Sequence, residues 1–195
     1  MTKFTRIALC TLLLGSTAVI TSCSNDDDNQ APAAKTIYAQ LGGTTKVADP
    51  DNAGQMIEQG RLSYRKVVNS TIGLIVADIQ SGATGNLGAH FAPIVGEVTA
   101  GNTTKVAVLS KNLTDFFSAN TGGGATNKYT GLDMVSAHNP AVNARMGVKA
   151  TGADYTKFEG YVGAAAGMNG VTDQKLIGEI VTVLESLRAP IVQAN

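Results

Sequence analysis

The sequence predicts an all-α fold, and three observations carry that prediction. Apolar residues recur at spacings of three and four through helix-length segments, no strand-length run alternates, and the periodic segments stop at Gly or Pro. Ile37 and Leu41 share a face of a first short helix that Gly42-Gly43 ends. A long helix is predicted over 55–80, where Tyr64, Val67, Val68, Ile72, Ile75, Val76 and Ile79 recur mostly three and four apart. Its β-branched residues lean towards strand, but length and period select helix. Residues 81–86 read as a flexible turn. A third helix over 104–119 carries Val106, Leu109, Leu113, Phe116 and Phe117 on one side, and Gly122-Gly123-Gly124 stops it. Thr130-Gly131-Leu132-Asp133 has capping-box form and is expected to open a short helix with Met134 and His138. Thr151-Gly152-Ala153-Asp154 repeats that form ahead of Tyr155, Phe158 and Val162, and Asn169-Gly170 closes that helix. The last helix is predicted over 172–188, with Leu176, Ile177, Ile180, Val181, Leu184 and Leu187 inward, ending at Pro190. No internal repeat is visible. Amphipathic helices of this kind must share one core.

The N-terminus is organised differently. Lys3 and Arg6 precede a mostly apolar run from Ile7 to Ile20, shorter than the roughly 20 residues that span a bilayer, so 1–22 reads as a signal peptide. Ile20-Thr21-Ser22-Cys23 resembles the bacterial lipobox, in which the cysteine is lipidated and becomes the first residue. Residues 23–35 then form a polar, acidic, disordered tether, and 36–195 the folded domain. Asp26-Asp27-Asp28 reads equally as an export signal for surface lipoproteins or as a solvated spacer. The expected location is the cell envelope, at the outer membrane, on its outer surface if the acidic run is an export signal, with the membrane held through Cys23.

This processing settles several chemistries. Cys10 leaves with the signal and Cys23 carries lipid, so no thiol remains for disulfides, catalysis or metal. Loss of Lys3 and Arg6 leaves 13 basic against 15 acidic residues, which offers no basic face for nucleic acid. No phosphate-cradling loop occurs, because the glycine triplet follows a helix rather than a strand, and no nucleophile-elbow motif is present. Only two histidines exist, His90 and His138, too few for a structural zinc site without cysteine. Met134 and His138 lie four apart, hence on one helical face, and an apolar group beside a nitrogen donor suits a flat macrocycle with a central metal. A histidine on such a face is more often a hydrogen-bonded core residue, so its neighbours must decide.

Those neighbours resemble the group I truncated haemoglobins. Ile37-Tyr38-Ala39-Gln40-Leu41-Gly42-Gly43 is similar to that family's opening motif, and Leu113 through Gly123 to its helix that ends in a Gly-Gly turn. Tyr129-Thr130-Gly131-Leu132-Asp133-Met134-Val135-Ser136-Ala137-His138 resembles the segment bearing the proximal histidine. Asp154-Tyr155 through Gly170-Val171, and Ala189-Pro190-Ile191-Val192, complete the series in the family's order.

The resemblance implies a globin-like, two-over-two helical sandwich holding haem b, with His138 as the axial ligand of the iron. Loops would be inserted between Lys46 and Tyr64, at 96–103 and at 139–145. It implies haem contacts from Phe91, Leu109, Leu113, Phe116, Met134, Tyr155 and Phe158, with His90 at the surface or an edge. The family's two distal polar donors would be replaced by Ile72 and Leu113, which makes the distal pocket apolar. The implied function is binding of O2 or another diatomic gas, with NO dioxygenase or peroxidase-like turnover as a side activity that needs an unidentified redox partner. Two other readings stand beside it: a haem-scavenging surface lipoprotein, and a globin-fold interaction module without haem.

Overall fold

The computed structural model describes residues 33–194. The signal peptide 1–22, Cys23 and most of the tether 23–35 lie outside the described residues. The described chain is all-α apart from one small hairpin. Its elements are α1 (Ile37–Gln40), β1 (Lys46–Ala48), β2 (Met56–Glu58), α2 (Gln59–Gln80), α3 (Ala92–Thr99), α4 (Thr104–Ser118), α5 (Met134–Ala137), α6 (Gly152–Met168) and α7 (Gln174–Ile191). Helix α2 is the central element and packs against both α4 and α6, while α7 packs on α6 and α5. Among the described residues, no helix is long and apolar enough to cross a membrane.

Several boundaries differ from the sequence expectation for identifiable reasons. The segment before α2 is the antiparallel pair β1–β2, with Val47 opposite Ile57, so α2 begins at Gln59. Three-residue strands are too short to show alternation. Part of the loop expected at 96–103 is helical: α3 has Pro93 in its first turn, where a missing N–H costs nothing. Helix α5 is capped by Asp133, whose carboxylate accepts from the Ser136 amide at 3.0 Å, rather than by Thr130. The second box is real: Asp154 N–H donates to Thr151 Oγ1 at 3.2 Å, and Thr151 N–H to Asp154 Oδ2 at 2.8 Å. Helix α7 passes through Pro190, which sits in its last turn, and Val192 N–H still reaches the Arg188 carbonyl. Val181, expected inward, is 48% exposed.

The start of the described segment is held by Tyr38, only 2% exposed. Gly60, in the first turn of α2, makes room for its ring: a Cβ there would stand 2.8 Å from it. Past α4 the chain makes a π-helical turn, Ala119–Gly123, in which Gly122 takes φ +117° against the Thr36 side chain. A side chain fits neither the angle nor the space. Beneath them lies a buried polar cluster. Glu58 accepts hydrogen bonds from Tyr38 Oη at 2.5 Å, Asn127 Nδ2 at 2.9 Å and Thr126 Oγ1 at 2.9 Å. Burial alone would raise the Glu58 carboxyl, but these donors and Lys46 outweigh it and hold the group down to about 2. At the other end, Ala150, Tyr155 and Ile191 form a core with Met134, Phe158, Leu187 and Val192 around it. That core is one wall of the site.

Candidate functional site: an apolar cavity beside a histidine pair

Helices α4, α5, α6 and α7 and the loops before α3 and after α5 enclose a cavity of about 960 Å³, its open mouth included. All eight side chains expected to contact haem line it: Phe91, Leu109, Leu113, Phe116, Met134, His138, Tyr155 and Phe158. Their convergence follows from the periodicity. Leu109, Leu113 and Phe116 fall on one face of α4, and Tyr155 and Phe158 on one face of α6. The aromatic rings hold one another at fixed angles, with Phe116 edge-on to Tyr129 at 5.3 Å and Tyr155 tilted against Phe158 at 5.9 Å. Tyr155 Oη donates to the Leu184 carbonyl, so this residue offers the cavity its ring rather than its hydroxyl.

Ile72 does not belong to this lining. It is 9% exposed and buried in α2, away from the cavity wall. Its expected place rested on the resemblance alone, across the extra residues between Lys46 and Tyr64 that include the β1–β2 hairpin. Tyr64 also lies elsewhere: it lines a second, smaller cavity and shares a 2.7 Å hydrogen bond with Thr121. The apolar wall contributed by α4 has one exception, Asn112. Its signal was legible, since 109, 112, 113 and 116 form one helical stripe.

His90 is the larger correction. Expected at the surface or an edge, it is 4% exposed and lines the cavity beside His138. The segment after His138 buries it. Gly147 N–H donates to the His90 carbonyl at 2.8 Å, and the Val148 carbonyl lies 2.6 Å from His90 Nδ1. His90 Nε2 lies 3.3 Å from His138 Nδ1. His138 Nε2 has no hydrogen-bond partner among the described residues. Burial, with the neighbouring His90 adding to it, holds the His138 imidazole down to about 4, so it is neutral near pH 7. Burial likewise lowers His90, against the opposing pull of the Val148 carbonyl and Asp154.

Such a depressed histidine makes stability depend on pH. The unfolded chain takes up the proton at about 6.5, and the folded chain only near 4. The contribution is therefore complete above pH 6.5 and is lost as pH falls towards 4, by up to about 3 kcal/mol. Chemical denaturation of the ligand-free protein should give a lower midpoint at pH 5 than at pH 7.5. In His138→Phe that difference should shrink.

Arg145 also reaches the cavity wall, and its Nη1 is buried without a hydrogen-bond partner. A buried guanidinium nitrogen without an acceptor is costly, and a carboxylate would satisfy it. Among the described residues, no group of three or more His, Cys, Asp or Glu side chains could hold a bare metal ion. The lining thus offers one neutral imidazole nitrogen, aromatic and aliphatic walls, and a guanidinium that makes no ion pair among the described residues, while Asp154, which also lines it, accepts from Thr151 in the capping box. A flat apolar macrocycle that bears carboxylates and a metal with an open axial position fits all three.

No protein-family model matches the chain, and no curated protein matches it.

Proposed function

We propose that the chain is a haem-binding globin of the truncated type, carried at the bacterial cell envelope by lipid on Cys23, that binds a diatomic gas. One observation carries the reading: the eight side chains chosen from the sequence as haem contacts line a single cavity. The helix order and the packing of α2 on α4 and of α7 on α6 are compatible with a two-over-two sandwich. Haem b, when bound, would supply an iron able to bind a diatomic gas.

The chain's own residues divide the remaining work. His138 would offer Nε2 to the metal. Phe91, Phe116 and Phe158 would exclude water from the macrocycle, and Arg145 would take a carboxylate. From α4, Leu109 and Leu113 make the wall apolar, and Asn112 is that helix's one polar group in the lining. A bound gas would be held loosely. Asn112→Leu should speed O2 dissociation about 5–30-fold, the equivalent of one lost hydrogen bond of roughly 1–2 kcal/mol. Flash photolysis or stopped-flow mixing measures this rate. A slow wild-type rate would contradict loose retention. Electron supply for turnover would come from a redox partner outside the chain.

Titration of the haem-free protein with haemin tests the proposal. Saturation at one haem per chain with a sharp Soret band is expected. Linear, unsaturable uptake would leave a helical interaction module instead, and rapid surrender of haem to an acceptor protein would favour haem scavenging.

A further inference from the structure

The two histidines meet edge to edge at the cavity wall. The Val148 carbonyl oxygen, 2.6 Å from His90 Nδ1, can only accept, so that nitrogen carries the proton. In a neutral imidazole the other nitrogen then holds a lone pair. That nitrogen, His90 Nε2, faces His138 Nδ1 at 3.3 Å, so the proton between them belongs to His138. A neutral His138 protonated at Nδ1 is bare at Nε2, the nitrogen free to bind a metal.

The ring geometry agrees. The planes are parallel to 3° and the centroids 5.5 Å apart, which exceeds the nitrogen separation by close to two ring radii. The contact therefore lies in the common plane of the rings, in line for an N–H···N bond, rather than between stacked faces. The same geometry excludes an ion shared between the two nitrogens. On the line joining them it would sit at half of 3.3 Å from each, well short of the roughly 2.0 Å that metal–nitrogen bonds need.

We propose that His90 is a positioning residue for His138: the chain Val148 carbonyl, His90, His138 fixes the Nδ1–H tautomer, orients the ring and strengthens Nε2 as a donor to iron. Hydrogen bonds of this kind to the far nitrogen commonly tune a metal-bound histidine. The inference rests on the haem reading for the iron but not for the tautomer. The segment after His138 supplies the clamp, since Gly147 and Val148 hold His90 by its carbonyl and its ring respectively.

The test is a long-range 1H–15N spectrum of the imidazoles in the 15N-labelled, haem-free protein near pH 7.5. His138 should be protonated at Nδ1 and bare at Nε2. His90→Leu should move the proton to Nε2, and His90→Gln, whose side-chain oxygen can accept the same bond, should restore it. After haemin addition, His90→Leu should bind haem about 10–100-fold more weakly than wild type and show a lower iron–histidine stretching frequency, with both recovered in His90→Gln. Wild-type His138 protonated at Nε2 would overturn the proposal, as would a tautomer and an affinity both indifferent to His90→Leu. Should His90→Leu fail to fold, the wild-type spectrum and His90→Gln still decide. The expected tautomer in a protein that takes up no haem would overturn the haem reading and the iron-donor role, and leave the hydrogen-bonded pair.

Discussion

His138→Ala should lower haem affinity by on the order of 100-fold or more, because it removes the axial nitrogen while leaving the cavity walls in place. Among the described residues the side chain's one hydrogen bond is the 3.3 Å contact with His90, and its free nitrogen is unpaired, so folding stability near pH 7 should change by only about 1 kcal/mol. The variant is therefore a clean probe. Its circular dichroism and melting should stay near wild type while the haem titration collapses, and added imidazole, which can enter the space vacated, should recover part of the Soret band. Unchanged haem affinity in a folded His138→Ala protein would mean that another group holds the macrocycle.

Glu58→Ala should have the opposite profile, with a large loss of stability and no direct effect on haem. The carboxylate satisfies Tyr38 Oη, Asn127 Nδ2 and Thr126 Oγ1 together, and Tyr38 is buried beneath Gly60 and Gly123. Truncation strands the buried Tyr38 hydroxyl and leaves Asn127 and Thr126 with the Gly123 carbonyl at 3.2 and 3.4 Å, at about 3–5 kcal/mol. For a domain of this size that lowers Tm by roughly 6–20 °C. Glu58 does not line the cavity, so below the melting range its variant should bind haem within about two-fold of wild type. All three donors share Oε2, so Glu58→Gln can keep an acceptor oxygen there and turn its amide against Lys46 alone; its stability should fall between those of Glu58→Ala and wild type. The same carboxyl, held down to about 2 from an ordinary value near 4.5, contributes stability that is complete above pH 4.5 and is lost on acidification towards 2.

The long helices were legible because their apolar residues repeat at the helical period over many turns. That periodicity placed Leu109, Leu113 and Phe116 on one face of α4, and Tyr155 and Phe158 on one face of α6. The His138 segment was legible as a motif, although the helix that carries it is only four residues long. His90 was not legible. Its burial comes from Gly147 and Val148, almost sixty residues further along the chain, and no local pattern encodes that closure. Ile72 was misplaced for a related reason, since a hairpin of two three-residue strands shifts the register without leaving an alternating trace. The Glu58 cluster was hidden as well: its donors lie at 38, 126 and 127, and none of them is periodic with it. Asn112 could have been found, because it sits within the α4 stripe that supplied its apolar neighbours.

The most direct measurement of the central claim is the resonance Raman spectrum of the ferrous, gas-free protein reconstituted with haem, recorded with natural and 15N-imidazole histidine. One low-frequency iron–histidine stretch is expected. It should shift on isotopic labelling and be absent from His138→Ala. A spectrum without an isotope-sensitive band, or a band that persists in His138→Ala, would contradict ligation of the iron by His138.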